Sequence, residues 1–351
     1  MSFIINNVKF IACILSGGKG ERFWPLSRDN NPKQFLPIMG EKSLIEETFD
    51  RLRKINATEE VFFVSNLKFE KRLNDMFPGV FKILEPVGKN TAPACAVANE
   101  YVLRKYGDAI LGVFPSDHYI GDMNRFEDTI EMAKKIALDG YIVTVGIAPD
   151  RIETGYGYIE RGDPIDSRCF KVRRFREKPD TQTAEHYIST GDFYWNAGMF
   201  IWHVATFDTA LKNYLPEVYR VLKMCRIPED LPMFYEQVPE ISVDYAIMEK
   251  ASNIAVIEGS FIWEDLGSFS SLTKVLTVNE DGNIINGTMM VFESCKDSIF
   301  IQEGPLIAAY GLEGVIVVST KDVVLVIPKS EAQKVKRLRE ILKERNLTEF
   351  L

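Results

Sequence analysis

In the first half of this 351-residue chain, short apolar β-type segments at residues 10–15, 61–65, 81–84, 109–115 and 141–147 alternate with helix-forming stretches. That alternation restricts the fold more than any other feature, because a strand–helix–strand repeat closes into a mainly parallel sheet covered on both faces. Helix starts are legible between the strands. Ser43 with Glu46, and Asn124 with Glu127, have the spacing of a capping box, so helices are expected to run to about residues 54 and 139. Asn90 or Thr91 is expected to cap another, with Pro93 in its first turn.

The pattern changes further on. Strands with polar alternation at 156–161, 172–176 and 196–202 point to a mixed second half of the sheet, followed by helices and a proline-containing stretch to Pro239. Beyond Asp281-Gly282 come five short β-type stretches without helices between them, at 284–292, 298–301, 306–309, 315–319 and 323–327. A domain boundary is therefore expected near 282, giving domains 1–282 and 283–351. Ser330 with Gln333 is expected to cap a final helix whose Val335, Leu338 and Leu342 form one apolar stripe. Its run from Lys334 to Arg337 reads as a solvated face.

Charge narrows the partners. A formal net charge of −8 leaves no basic field to hold nucleic acid or an acidic membrane, so any phosphate must be met by local groups. Two such groups of cations exist: Lys19, Arg22, Arg28 and Lys33, and Arg173, Arg174, Arg176 and Lys178. The apolar run at 10–15 has neither the length of a membrane span nor the layout of a signal peptide, and a cytoplasmic protein is expected. The five cysteines are scattered and never spaced as CxxC, which favours buried thiols over disulfides or a zinc site.

The glycines at 17, 18 and 20 follow the first strand, where an open sheet presents its loops and backbone N–H groups can close round phosphate oxygens. The dinucleotide fingerprint fails at Phe23, and no P-loop signature occurs. Arg22 and Lys33 bring cations to the same edge. Within the sequence Lys33 has only Asp29 as a nearby acid, so replacing it is expected to affect catalysis and to leave stability alone. Asp117 closes the strand at 109–115, and Asp265 sits in a Trp-Glu-Asp-Leu-Gly turn. Two such carboxylates suit one Mg²⁺, which takes one or two of them and completes its shell with phosphate and water. Glu264 is expected to point away, and His118 to help by orienting Asp117 or contacting a phosphate. His186 and His203 read as surface and packing residues, and Trp195 and Trp202 as core. No G-x-S-x-G elbow supports a serine hydrolase.

The run Gly-Gly-Lys-Gly-Glu-Arg-Phe-Trp-Pro-Leu at 17–26, followed by Pro-Lys-Gln-Phe-Leu at 32–36, resembles the signature of the sugar nucleotidylyltransferases. Glu-Pro-Val-Gly-Lys-Asn-Thr-Ala-Pro-Ala at 85–94 and Phe-Pro-Ser-Asp-His at 114–118 are most similar to the mannose-1-phosphate guanylyltransferase branch. Further matches at 154–158, 175–179, 195–200 and 263–268 arrive in family order.

The resemblance implies a Rossmann-like α/β nucleotidyltransferase domain with a C-terminal left-handed β-helix-like domain, a homodimer, and Mg²⁺-dependent transfer of GMP from GTP to mannose-1-phosphate, giving GDP-mannose and pyrophosphate. It implies that Leu15, Gly17, Gly18 and Gly20 wrap the nucleotide, that Arg22 and Lys33 contact phosphate, and that Glu85, Pro86, Asn90 and Thr91 read guanine. Gly157, Glu177 and Asn196 would hold the sugar and Lys178 its phosphate, with Asp117 and Asp265 on the metal. Some members continue into a phosphomannose isomerase domain, an activity this chain is expected to lack. A relative using another base or sugar, and a non-catalytic sensor of nucleotide sugars, remain as alternatives. Retention of Arg22, Lys33, Asp117 and Asp265 argues against the sensor.

Overall fold

The computed structural model describes residues 8–18, 20–56 and 58–351, so the expectation for Lys19 lies outside the described residues. The described residues divide into two compact units, one of residues 8–17, 49–56, 58–116 and 120–263, the other of residues 18, 20–48, 117–119 and 264–351.

The first unit holds strands β1 (Lys9–Ser16), β2 (Thr58–Asn66), β3 (Lys82–Glu85), β4 (Ala109–Pro115), β6 (Ile142–Ile147), β7 (Gly157–Asp166), β8 (Cys169–Glu177), β9 (Phe193–His203) and β10 (Ile254–Glu258). The two-residue strands β5 (Tyr119–Ile120) and β11 (Trp263–Glu264) lie where the chain passes between units. The nine strands form one mixed sheet in the order β3-β2-β1-β4-β9-β6-β10-β8-β7. β1 pairs in parallel with β2 and β4, as buried strand–helix–strand segments do, whereas β9 runs antiparallel to β4, β6 and β7.

Helices α2 (Glu70–Met76), α3 (Thr91–Tyr106), α4 (Met123–Leu138), α5 (Thr181–Thr190), α6 (Val204–Tyr214), α7 (Pro216–Met224) and α8 (Leu231–Gln237) belong to this unit, and α1 (Leu44–Lys54) leads into it. α3 is alanine-rich and buried over most of its length; it packs in the same core as Ile11, Val113 and Trp202. All five cysteines are free and buried.

Of the three expected capping boxes, one forms and two do not. Ser43 N donates to Glu46 as expected. In α4, however, the cap is Asp122, one residue before the helix, whose carboxylate accepts from Arg125 N; Asn124 already lies inside the helix. A short acidic side chain at the true boundary satisfies the orphan N–H better than one placed beyond it. Ser330 and Gln333 lie in a 3₁₀ turn (Lys329–Lys334), and α9 (Val335–Glu344) starts from Lys334 without a side-chain cap.

The second unit is built on stacked short strands: β12 (Ile284–Asn286), β14 (Ile299–Gln302), β16 (Val315–Ser319) and β17 (Val324–Pro328) form one sheet, and β13 (Met290–Glu293) with β15 (Ile307–Tyr310) another. Parallel pairing of β12 with β14 and of β14 with β16, each one coil further along the chain, gives the β-helix-like character. Its core combines Ile299, Ile316 and Val335 with Phe23, Leu36 and Leu266 from the segments that carry the chemistry.

Candidate active site

Within the second unit, Gly20, Arg22, Lys33, Asp117 and Asp265 line one cleft of about 330 Å³, together with Glu21, His118 and Lys336. Gly20 has φ +59°, and any Cβ there would overlap the Lys33 side chain and backbone; glycine lets the loop lie directly on Lys33. Phe23 N donates to Gly20 O (3.0 Å), and so does Ser27 Oγ (2.7 Å), which fixes the turn carrying Arg22.

Lys33 is the hub. Its side chain is nearly buried, and Nζ lies 2.8 Å from Asp117 Oδ2 while donating to the carbonyls of Asp265 (2.6 Å) and Leu266 (2.9 Å). Leu266 holds φ +53° with its side chain fully buried, an unfavourable backbone for leucine that aims its carbonyl at the ammonium. The expectation of a lysine with no acidic neighbour but Asp29, replaceable without loss of stability, is thus corrected: Asp117, 84 positions away in sequence, is its partner. Burial alone would push the Asp117 carboxyl up, but the Lys33 ammonium and His118 outweigh it and hold the group below its ordinary value.

Gly18 is exposed at the start of the second unit and is not among the residues lining the cleft; the first unit carries the remaining expected residues. Leu15 is half-buried near the end of β1, and Gly17 is exposed beyond it. Glu85 ends β3 buried, accepting from Tyr235 Oη at 2.5 Å; burial pushes its carboxyl up to about 6 despite that bond. Pro86 and Asn90 are exposed, Asn90 with φ +68° at the N-terminus of α3. Thr91 Oγ1 accepts from Val243 N (2.9 Å).

On β7, a Cβ at Gly157 would overlap Glu177 Oε2 and lie 3.3 Å from Asn196 Cβ, so a side chain there would have to displace the Glu177 carboxylate. Gly157, Glu177 and Asn196 are therefore brought together as expected from the motifs. Lys178, with φ +48°, donates to Glu177 Oε1 (2.8 Å). Arg173 and Arg174 turn instead to Glu160 (3.2 and 3.4 Å), so that cationic cluster is divided between two partners.

Two residues escaped the sequence reading. Lys336 lies on the solvated face expected of the run from Lys334 to Arg337, with its side chain 58% exposed, and because α9 packs on the turn Glu21–Phe23 that face also borders the cleft, with Lys336 3.9 Å from Glu21. Only the period of α9 relative to its apolar stripe carried that signal, and it could not say what the other face meets. Asp244 lies in a single π-helical turn (Asp244–Met248) and accepts from Asn196 Nδ2 (3.1 Å). No group of three or more His, Cys, Asp or Glu residues poised for a metal occurs among the described residues.

The chain is a nucleotidyltransferase: the nucleotidyl transferase family model matches residues 11–281, a span that takes in Gly20, Arg22, Lys33, Asp117 and Asp265. A second model, for the mannose phosphate isomerase/GMP-like β-helix domain, matches residues 275–343. The chain is 36% identical to a mannose-1-phosphate guanylyltransferase of Klebsiella pneumoniae over 96% of its own length and 74% of that protein. It is 36% identical to mannose-1-phosphate guanylyltransferase RfbM of Salmonella typhimurium, over 98% and 74%. A solved structure from Thermus thermophilus, described as a mannose-1-phosphate geranyltransferase, matches with a TM-score of 0.90 at 32% identity, covering 96% of this chain and 100% of that one. The chain belongs to the mannose-1-phosphate guanylyltransferase family.

Proposed function

We propose that the chain transfers GMP from GTP to mannose-1-phosphate, giving GDP-mannose and pyrophosphate, as a cytoplasmic Mg²⁺-dependent homodimer with a catalytic region over residues 1–282 and a β-helix-like region over 283–351. The observation that carries this reading is the cleft in which Lys33 joins Asp117 to the Asp265 turn, in a chain of this family. No helix is long and apolar enough to cross a membrane among the described residues.

The nucleophile needs no general base, because the second ionisation of a phosphate monoester lies near pH 6 and the oxygen is already charged at neutral pH. The work is placement and charge. Arg22 and Lys33 offset the phosphates' negative charge, and the Gly20 turn offers backbone N–H groups. Asp117 and Asp265 suit a hard divalent cation: two oxygen donors line one cleft, and the Asp117 carboxylate is held ionised. Bound there, Mg²⁺ would supply positive charge to the transferring and leaving phosphoryl oxygens. Guanine is assigned to Glu85, Pro86, Asn90 and Thr91, and the sugar to Gly157, Glu177 and Asn196, with Lys178 on its phosphate.

Assembly rests on apolar side chains exposed in the β-helix-like region, among them Met289, Val291, Leu306 and Tyr310. Replacing Val291 and Tyr310 by lysine should convert a dimer to monomer in sedimentation, and a wild-type monomer would refute the pairing. Activity is tested by initial-rate pyrophosphate release. GTP with mannose-1-phosphate should outpace UTP, dTTP or glucose-1-phosphate pairings; an inactive protein that binds GDP-mannose would favour a sensor instead.

A further inference from the structure

We infer that Asp244 is a further sugar-binding residue, its carboxyl group holding a hydroxyl of the hexose ring beside Glu177 and Asn196. The inference rests on the assignment of the Glu177–Asn196 cluster to the sugar and adds a residue that no motif marked.

Orientation is the first argument. Asn196 Oδ1 accepts from Thr144 Oγ1 (3.0 Å) and from Gly198 N (3.0 Å), so the other end of the amide, Nδ2, must face Asp244 Oδ1 (3.1 Å). The second is rigidity. Ala246, Ile247 and Met248 anchor the π-helical turn in the core, and such turns recur at functional sites. Just before it, Ile241 N donates to Lys89 O (3.2 Å), Ala92 N to Ile241 O (3.1 Å) and Val243 N to Thr91 Oγ1 (2.9 Å). The segment that presents Asp244 is thereby stitched to the segment assigned to the base.

Chemistry is the third. A hexose offers hydroxyl donors, and carboxylates are their strongest acceptors. Two acids converge here with one ammonium, Lys178. Burial and the charge of Glu177 push the Asp244 carboxyl up to about 7, against its own backbone bond, Lys178 and Asn196. The groups facing it are Glu177 and Lys178 at the end of β8, Asn196 on β9 and Cys95 on α3, whose thiol burial keeps neutral, while the exposed Tyr245 on its own turn acts on Lys178. Near neutrality Asp244 therefore changes from a hydroxyl-type donor to an acceptor. Sugar binding should follow that change.

The test measures kinetics of Asp244→Asn with GTP and mannose-1-phosphate from pH 6 to 9. The KM for the sugar phosphate should rise about 10-fold or more while the KM for GTP moves less than about 3-fold, and the variant should lose a component of the wild-type pH dependence near 7. An unchanged sugar KM with an unchanged profile overturns the inference. Should the variant fail to fold, wild type decides through pH: between pH 6 and 9 its KM for mannose-1-phosphate must change with a component near 7 that its KM for GTP lacks, and a sugar KM that tracks the GTP KM across that range overturns the inference. Wild type inactive with GTP and mannose-1-phosphate would instead sink the functional reading on which the inference stands, and the inference with it.

Discussion

Asp117 in the second unit's cleft and two buried acids of the first unit, Glu85 and Asp244, are held in opposite electrostatic states. In the second unit Asp117 meets an ammonium at 2.8 Å and stays ionised below its ordinary range. In the first, burial lifts the Glu85 carboxyl beside Tyr235 to about 6, and burial with the charge of Glu177 lifts the Asp244 carboxyl beside Asn196 to about 7. The chemical group is the same; the partner differs. A carboxylate paired with lysine is suited to cations and phosphate-bound metal, whereas one beside Tyr235 or Asn196 is suited to reading N–H and O–H groups on a neutral ring. This contrast predicts that acid pH protonates Glu85 and Asp244 well before Asp117.

Removing charge from the acids of the cleft should have the largest effect. Asp117→Asn and Asp265→Asn should each lower kcat/KM by about 10²-fold or more, roughly 3 kcal/mol of transition-state stabilisation, with the fold retained. Near-normal turnover at saturating Mg²⁺ in either variant would remove that residue from the metal and break the contrast.

Lys33→Met comes next. It should lower kcat about 10²-fold for every nucleotide and sugar pair alike, because phosphates are common to all of them. It should also cost stability, about 1–3 kcal/mol, since Asp117 and two carbonyls lose their donor. Combining it with Asp117→Asn should cost less stability than the sum of the two, as expected for side chains in direct contact. Additive losses in denaturant titrations would show that the pair is not coupled.

These effects also mark where sequence ran out. The strand–helix alternation and the glycine turn were readable because period and glycine content are local, and β1, β3 and β4 fall within one residue of their expected bounds. The partner of Lys33 was not readable: nothing local to residues 29–36 encodes an acid that arrives from beyond the end of β4. Asp244 was hidden for a related reason. Its turn contains no glycine, histidine or unusual spacing, and its meaning comes from Asn196, 48 positions away. The cap at Asp122 was missed by two residues because Asn124 and Glu127 imitate the same capping spacing.

The smallest effect isolates the first unit's side of the contrast. Glu85 has a carboxyl raised from its ordinary 4.5 to about 6 by burial, even though it accepts from Tyr235. Below about pH 4.5 the group is protonated folded and unfolded, so it contributes no difference. Between 4.5 and 6 the unfolded chain releases the proton while the folded one keeps it, and stability falls as pH rises. Above 6 the loss is complete, at about 2 kcal/mol for a shift of this size. Glu85→Gln keeps an oxygen to accept from Tyr235 and has nothing to titrate. Denaturant titrations should therefore show the variant gaining on wild type by up to about 2 kcal/mol between about pH 4.5 and 7. For Asp117 the linkage has the other sign, its contribution being kept above its ordinary value and lost only as pH falls through a lower one. A Glu85→Gln difference that does not vary with pH would mean that burial leaves this carboxyl at its ordinary value, and one of opposite sign that the first unit holds it as the second holds Asp117; either would break the contrast.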